Sequence, residues 1–233
     1  GKRFICKEAQ WSIDYDFPSF KLVRLNIESE KKHKITAFSR PISSIVVDNT
    51  FIEEENEIDT ILSAMRHINE IDPDIIYTFN GDDVLLPFLY HRAEACGIKE
   101  MVNLGREEVQ RFSPVKDSKS YFSYGQIIYR PAFYTLSGRA HIDTSSSFMY
   151  GESGLRGLVD ISRCSNIPLQ MLSRLGPGTA ISQMQVNKAV EKNYLVPWKK
   201  NMPETWKSAD VLLLSAQRGQ SVDAAVTAQE DVI

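Results

Sequence analysis

Residues 75–79 form a compact apolar run, Ile75-Ile76-Tyr77-Thr78-Phe79, that stops at Asn80-Gly81 and gives way at once to a helical period. This segment constrains the fold more than any other. Upstream, Ile58, Ile61, Leu62, Met65, Ile68 and Ile71 share one face of a helix. Asp72-Pro73 ends that helix, because the residue before proline is pushed out of the helical region. The apolar run then reads as a strand, and Asn80-Gly81 as a turn. Asp82 or Asp83 is placed to cap a second helix. That helix buries Leu85, Phe88, Leu89 and Cys96, and Gly97 stops it.

Before this unit, residues 20–28 alternate apolar and polar side chains, the signature of a half-buried strand. Residues 34–39 and 42–48 read as two further strands parted by Arg40-Pro41, since proline marks a turn or a sheet edge. Residues 20–97 therefore follow a βββαβα order that opens with a meander. Glu53-Glu54-Glu55 reads as a solvated helix start, favourable at the positive end of the dipole. Further on, residues 113–129 are rich in Ser, Tyr and Lys and read as a loop or hairpin. Residues 138–143 predict a strand, and residues 151–166 a helix. Gly176-Pro177-Gly178-Thr179 breaks the chain before a helix from Thr179 through Val190. Residues 204–216 predict a last amphipathic helix, and residues 219–233 a small, polar, frayed tail.

Composition sets outer limits. The 233 residues suffice for one good core. Hydrophobic residues at 42% and charged residues at 24% are ordinary globular usage. No apolar run approaches the roughly 20 residues of a membrane span. The start, Gly1-Lys2-Arg3-Phe4, is charged and no long apolar stretch follows, so no signal peptide is expected. The three cysteines, Cys6, Cys96 and Cys164, are scattered. No CxxC or Cys/His cluster predicts zinc, and the sparse, odd count fits a reducing cytoplasm. A net charge of −3 argues against bulk attraction to duplex DNA, though not against a small basic groove.

Several segments together resemble the exonuclease domain of family-B DNA polymerases. They are Leu25-Asn26-Ile27-Glu28, the run from Asp72-Pro73 to Arg92-Ala93-Glu94, and Gly138-Arg139-Ala140-His141-Ile142-Asp143. To these are added Gly176-Pro177-Gly178-Thr179-Ala180-Ile181 and Leu195-Val196-Pro197-Trp198-Lys199-Lys200, which look most like a divergent archaeal branch of inactivated paralogues. Ala216-Gln217-Arg218-Gly219-Gln220 resembles the stretch that leads into the polymerase palm. The resemblance implies a ribonuclease-H-like α/β fold, with a mixed five-stranded sheet flanked by helices. It divides the chain into an extension at 1–19, an exonuclease-like domain at 20–218 and a tail at 219–233.

Proofreading nucleases of this fold use four carboxylates and two divalent metals. Two metals about 3.5–4 Å apart clamp the attacking and leaving oxygens, and hard Mg²⁺ or Mn²⁺ takes oxygen ligands. The first motif is Asp-x-Glu on a strand, where residues two apart share a face. Here it reads Asn26-Ile27-Glu28: Glu28 is retained, either as a residual metal ligand or simply as a polar strand-end residue of the fold, and Asn26 brings no charge. The register of the second motif puts Leu85 at its carboxylate. Asp83 is a poor substitute, since an offset of two on a helix turns a side chain by about 200°. The third motif falls in 176–185, which holds no acid and no tyrosine. The expectation is therefore a degenerate exonuclease site that holds no metal strongly.

The alternative is an active Mg²⁺- or Mn²⁺-dependent nuclease with a rearranged site, using Glu28 with Asp82 or Asp83. A third reading is a non-enzymatic replication scaffold that docks polymerase or replication subunits. Single-stranded DNA or a primer end is the expected nucleic-acid partner. Candidate contacts are Asn80, Trp198, Lys199 and Lys200, joined by Trp206 and Lys207, since aromatics mixed with cations stack and neutralise a single strand. Lys116, Lys119, Tyr121 and Tyr124 lie where a hairpin could touch DNA. His141 reads as a packed strand histidine, because no second His or Cys partners it. Asp143 and Asp160 are acids with no assigned part.

Overall fold

The computed structural model describes residues 10–12, 14–29, 38–107, 114–123, 125–130, 132–194 and 196. In chain order its elements are β1 (Leu22–Ser29), β2 (Ile42–Val47), β3 (Thr50–Ile52), α1 (Glu57–Ile71), β4 (Ile75–Thr78) and α2 (Leu86–Ala95). There follow β5 (Lys119–Ser123), β6 (Gln126–Arg130), β7 (Ala140–Asp143), α3 (Phe148–Ser165), α4 (Leu169–Leu172) and α5 (Pro177–Glu191). Five strands form one mixed sheet in the order β3-β2-β1-β4-β7. β2 runs antiparallel to β1, whereas β4 is parallel to both β1 and β7. The expected mixed five-stranded sheet flanked by helices is thus present.

The sheet separates two cores. The alternation in β1 turns Val23, Leu25 and Ile27 to one side, where they meet Ile61, Ala64, Met65 and Ile68 of α1 and Phe88 and Leu89 of α2. The other side gathers Ile75 and Tyr77 of β4 and Ile142 of β7 under Met149 and Leu158 of α3, Leu172 of α4 and Ala180 of α5. Arg92 of α2 grips the Glu57 carboxylate of α1 at 2.6 Å, with both side chains largely buried. Burial alone would raise the Glu57 pKa. The Arg92 hydrogen bond and the Ile42 N–H, which donates to the carboxylate at 2.7 Å, bring it below the usual carboxylate range.

Several local expectations are corrected. The sheet ends in β3, a three-residue edge strand that was not expected; of the strand expected at 34–39, Phe38 and Ser39 lie in a turn and the rest fall outside the described residues. Glu53-Glu54-Glu55 precede α1, which is capped by Asn56 accepting from the Asp59 N–H at 2.9 Å. β4 stops at Thr78, and the Phe79 ring is 68% exposed. Neither Asp82 nor Asp83 caps a helix. Asn80 is left-handed, at φ 58°, and residues 81–85 form one π-helical turn that runs into α2. A wide turn with no N-cap bond leaves the Asp82 side chain free to look elsewhere.

The segment at 113–129 contains the β5–β6 hairpin. α3 begins at Phe148, earlier than expected, and Gly154 interrupts it at φ 64°. The predicted helix at 204–216 and the tail at 219–233 lie outside the described residues. Among the described residues no helix is long and apolar enough to cross a membrane.

Candidate nucleic-acid interface at the carboxyl ends of β1 and β4

After β1 the chain turns to β2 on one side, and after β4 it proceeds to β7 on the other. In open α/β sheets, ligands sit outside the carboxyl ends of strands at such a switch point. Asn26 and Glu28 occupy this end of β1, on the same face, with Asn26 exposed and Glu28 half-buried. The Ser44 hydroxyl, on the paired residue of β2, donates to Glu28 Oε2 at 3.3 Å. Asn80 follows β4 and its N–H donates to Ser145 Oγ at 3.1 Å. Tyr77 packs on Tyr150 with ring centroids 5.3 Å apart, and burial raises its phenol pKa above the ordinary range.

The acids of the π turn do not join this face. Leu85 is 5% exposed and packs in the core formed by Val23, Leu25 and Ile27, the β1 residues that alternate with Asn26 and Glu28. The Asp82 side chain is fully buried. It accepts Arg174 Nε at 2.7 Å, Arg174 Nη2 at 3.1 Å and the Tyr134 N–H at 3.0 Å. Asp83 remains exposed and accepts the Tyr129 hydroxyl of β6 at 3.1 Å. Desolvation raises the Asp83 carboxyl, the Tyr129 bond works against this, and Asp143 and Asp82 push it up further. On α5, residues 177–190 offer no carboxylate.

The remaining candidates have other duties. Asp143 accepts the Asp82 N–H at 3.0 Å and the Ser145 N–H and hydroxyl at 3.1 and 2.7 Å. Asp160 accepts the Tyr15 hydroxyl at 2.5 Å. Trp198, Lys199 and Lys200 lie outside the described residues, as do Trp206 and Lys207. Lys116 and Lys119 are exposed at the hairpin.

A metal pair needs several oxygen donors converging on one point. On the β1 face the expected positions supply one carboxylate, Glu28, and one amide, Asn26. Among the described residues no group of three or more His, Cys, Asp or Glu side chains is arranged to hold a metal ion. The described donor set does not fit a two-metal centre.

A buried polar network occupies the other face, and it is the feature that sequence reasoning missed. Its hub is Arg174. Nη1 donates to the carbonyls of His141 and Gln170 at 2.8 and 2.7 Å. Nη2 lies 2.7 Å from His141 Nδ1. A guanidinium only donates, so Nδ1 accepts and the His141 proton sits on Nε2, 2.7 Å from Thr78 Oγ1. Asp82 Oδ1 also lies 3.6 Å from Nδ1, but with Nδ1 accepting this is not an ion pair. Burial and the neighbouring guanidinium lower the His141 pKa to about 3, which agrees with a neutral ring. His141 is thus a packed strand histidine, as expected. The alternation of Thr78, His141 and Asp143 on two strands is the one sequence hint of this network.

Gly81 is fitted to the network. A Cβ there would collide with Thr78 Oγ1 and come 2.8 Å from His141 Nε2. Gly81→Ala is expected to cost about 1–3 kcal/mol of stability, as overpacking typically does. A urea titration checks this, and an unchanged midpoint refutes it.

Residues 8–150 match the family described as DNA polymerase family B, exonuclease domain. A DNA polymerase of Pyrococcus glycovorans is 32% identical over 93 residues, 40% of this chain and 11% of that protein. DNA polymerase 1 of Pyrococcus abyssi is 40% identical over 62 residues, 26% of this chain and 8% of that protein. The matched segments are therefore a small part of these relatives. The structure of the family B DNA polymerase from Pyrobaculum calidifontis aligns with 82% of this chain and 32% of that one, at 16% identity and a TM-score of 0.53. That likeness establishes a shared ribonuclease-H-like fold. With a family match across more than half its length, the chain belongs to the exonuclease domains of family-B DNA polymerases.

Proposed function

We propose that this exonuclease domain binds single-stranded nucleic acid or a polymerase partner and hydrolyses DNA little or not at all. One observation carries the reading: Asn26 and Glu28 share one face of β1, whereas Leu85 and Asp82 are packed on the opposite side of the sheet. Phosphodiester hydrolysis by two metals requires carboxylates that converge. Glu28 by itself would hold a divalent ion weakly. An active rearranged site would have to recruit Asp82 or Asp83. Asp82 is already neutralised by Arg174, which makes it a poor metal ligand.

The test is digestion of 5′-labelled single-stranded DNA in Mg²⁺ or Mn²⁺. The expected result is no shortening beyond that of Glu28→Ala. Robust 3′→5′ digestion that Glu28→Ala abolishes overturns the reading.

A scaffold role has its own supporting observation. On one face of the β5–β6 hairpin, Phe122 and Ile127 are a cross-strand pair, 74% and 77% exposed, and Tyr129 is 55% exposed. Contiguous apolar exposure of this kind suits a protein contact.

A further inference from the structure

The roof of helices α3 to α5 covers β4 and β7 but stops short of β1. Leu22 and Arg24 pair in parallel register with Ile75 and Tyr77, so all four point to the same side of the sheet. Ile75 and Tyr77 are buried, yet Leu22 is 44% exposed, and Arg24 and Asn26 are exposed as well. An open strip of β1 therefore runs from Leu22 through Arg24 and Asn26 to Glu28. Phe79 follows Tyr77 by two residues at the end of β4, with its ring in solvent.

Arg24 stands out on this strip. Asp48 lies across from it on the β2 side and is committed to its backbone. The Arg24 N–H donates to Asp48 Oδ1 at 2.6 Å, and the Asp48 N–H donates to the Arg24 carbonyl at 2.7 Å. The guanidinium has no hydrogen-bond or ion-pair partner among the described residues. It sits two residues before Asn26 on the same face, roughly 6.6 Å along the strand. A permanent cation there opposes a divalent metal by direct repulsion and can replace its charge toward a phosphate. The absence of negative charge at Asn26 and the positive charge of Arg24 act in the same direction.

We propose that this strip binds single-stranded DNA without divalent metal. Arg24 takes a backbone phosphate, the Asn26 amide donates a second hydrogen bond, and the Phe79 ring offers a base a stacking surface. The inference rests on the nucleic-acid reading above and specifies how that face holds its ligand.

The test is fluorescence anisotropy of a labelled oligothymidylate with the full 233-residue chain, in EDTA and in Mg²⁺. Binding is expected to be equal in both buffers. Arg24→Ala is expected to weaken it about tenfold and reduce the slope of log K against log salt by about 0.7. Phe79→Ala is expected to weaken it by roughly fivefold or more. Both positions are exposed, so unchanged circular dichroism and melting establish that the variants are folded. Binding that appears only with Mg²⁺, or that Arg24→Ala leaves intact, overturns the inference while nucleic-acid binding stands. No binding by the wild type in either buffer overturns the nucleic-acid reading and this inference with it. DNA digestion in the Mg²⁺ buffer overturns only the loss of hydrolysis.

Discussion

Asp82→Ala is expected to lower the unfolding free energy by about 3–5 kcal/mol, because it leaves the Arg174 charge buried without its counter-ion. Only 6% of the Arg174 side chain is exposed and none of Asp82 is. The remaining acceptors of Arg174 are carbonyls, a hydroxyl and the His141 ring, all neutral. The double variant Asp82→Ala, Arg174→Met is expected to lose less than the sum of the two single changes, since no uncompensated charge remains. Urea denaturation of the four proteins measures this coupling. Additive losses would show that the pair is not a unit.

The same cluster predicts acid sensitivity. His141 has a folded pKa of about 3 against an ordinary value near 6.5. Below pH 6.5 the unfolded chain takes up a proton that the folded ring refuses. Stability from this group is therefore complete above pH 6.5 and is lost as pH falls from there toward 3.

The network also shows where sequence reasoning reached its limit. β1 and α1 were legible because each carries its own periodicity: Val23-Leu25-Ile27 alternate, and Ile61, Met65 and Ile68 recur on one helix face; β4 was legible as a compact apolar run closed by Asn80-Gly81. β3 was not, since three residues at a sheet edge leave no room for a period. Local rules make Asp82 or Asp83 a cap, but the partner of Asp82, Arg174, lies 92 residues away and Tyr134 lies 52 away. No local rule reaches that far. Burial of Leu85 was legible because Phe88 and Leu89 continue its apolar face. Which side of the sheet it entered was not, because that depends on the π turn at residues 81–85. Arg24 was plain in the sequence as one polar residue of an alternating strand. Its exposure beside Asn26 depends on a helical roof that covers β4 and leaves β1 open, which no local period encodes.

The two positions where a nuclease would carry aspartates are expected to respond in opposite ways. Asn26→Asp places a carboxylate on an exposed strand position and is expected to change stability by no more than about 0.5 kcal/mol. It recreates Asp-x-Glu beside Glu28, so Mn²⁺ binding followed by calorimetry is expected to tighten. Leu85→Asp puts a carboxyl into the apolar core that holds Val23, Leu25, Ile27 and Phe88. It is expected to cost about 3–5 kcal/mol at neutral pH. Burial raises the folded pKa of such a carboxyl above that of the unfolded chain. The unfolded state then ionises first as pH rises, so the penalty is smallest below about pH 4 and grows above it. Leu85→Asp is expected to leave Mn²⁺ binding unchanged, because the new carboxylate enters the core on the far side of the sheet from Glu28. If Leu85→Asp instead folded as stably as the wild type and tightened Mn²⁺ binding, position 85 would have to reach the β1 face. Asn26→Asp and Leu85→Asp together would then bring the β1 face to three of the four carboxylates, with the third-motif acid still absent. If it unfolds the domain while Asn26→Asp is tolerated, the second-motif position serves packing, and regaining hydrolysis would require the π turn at residues 81–85 to be rebuilt.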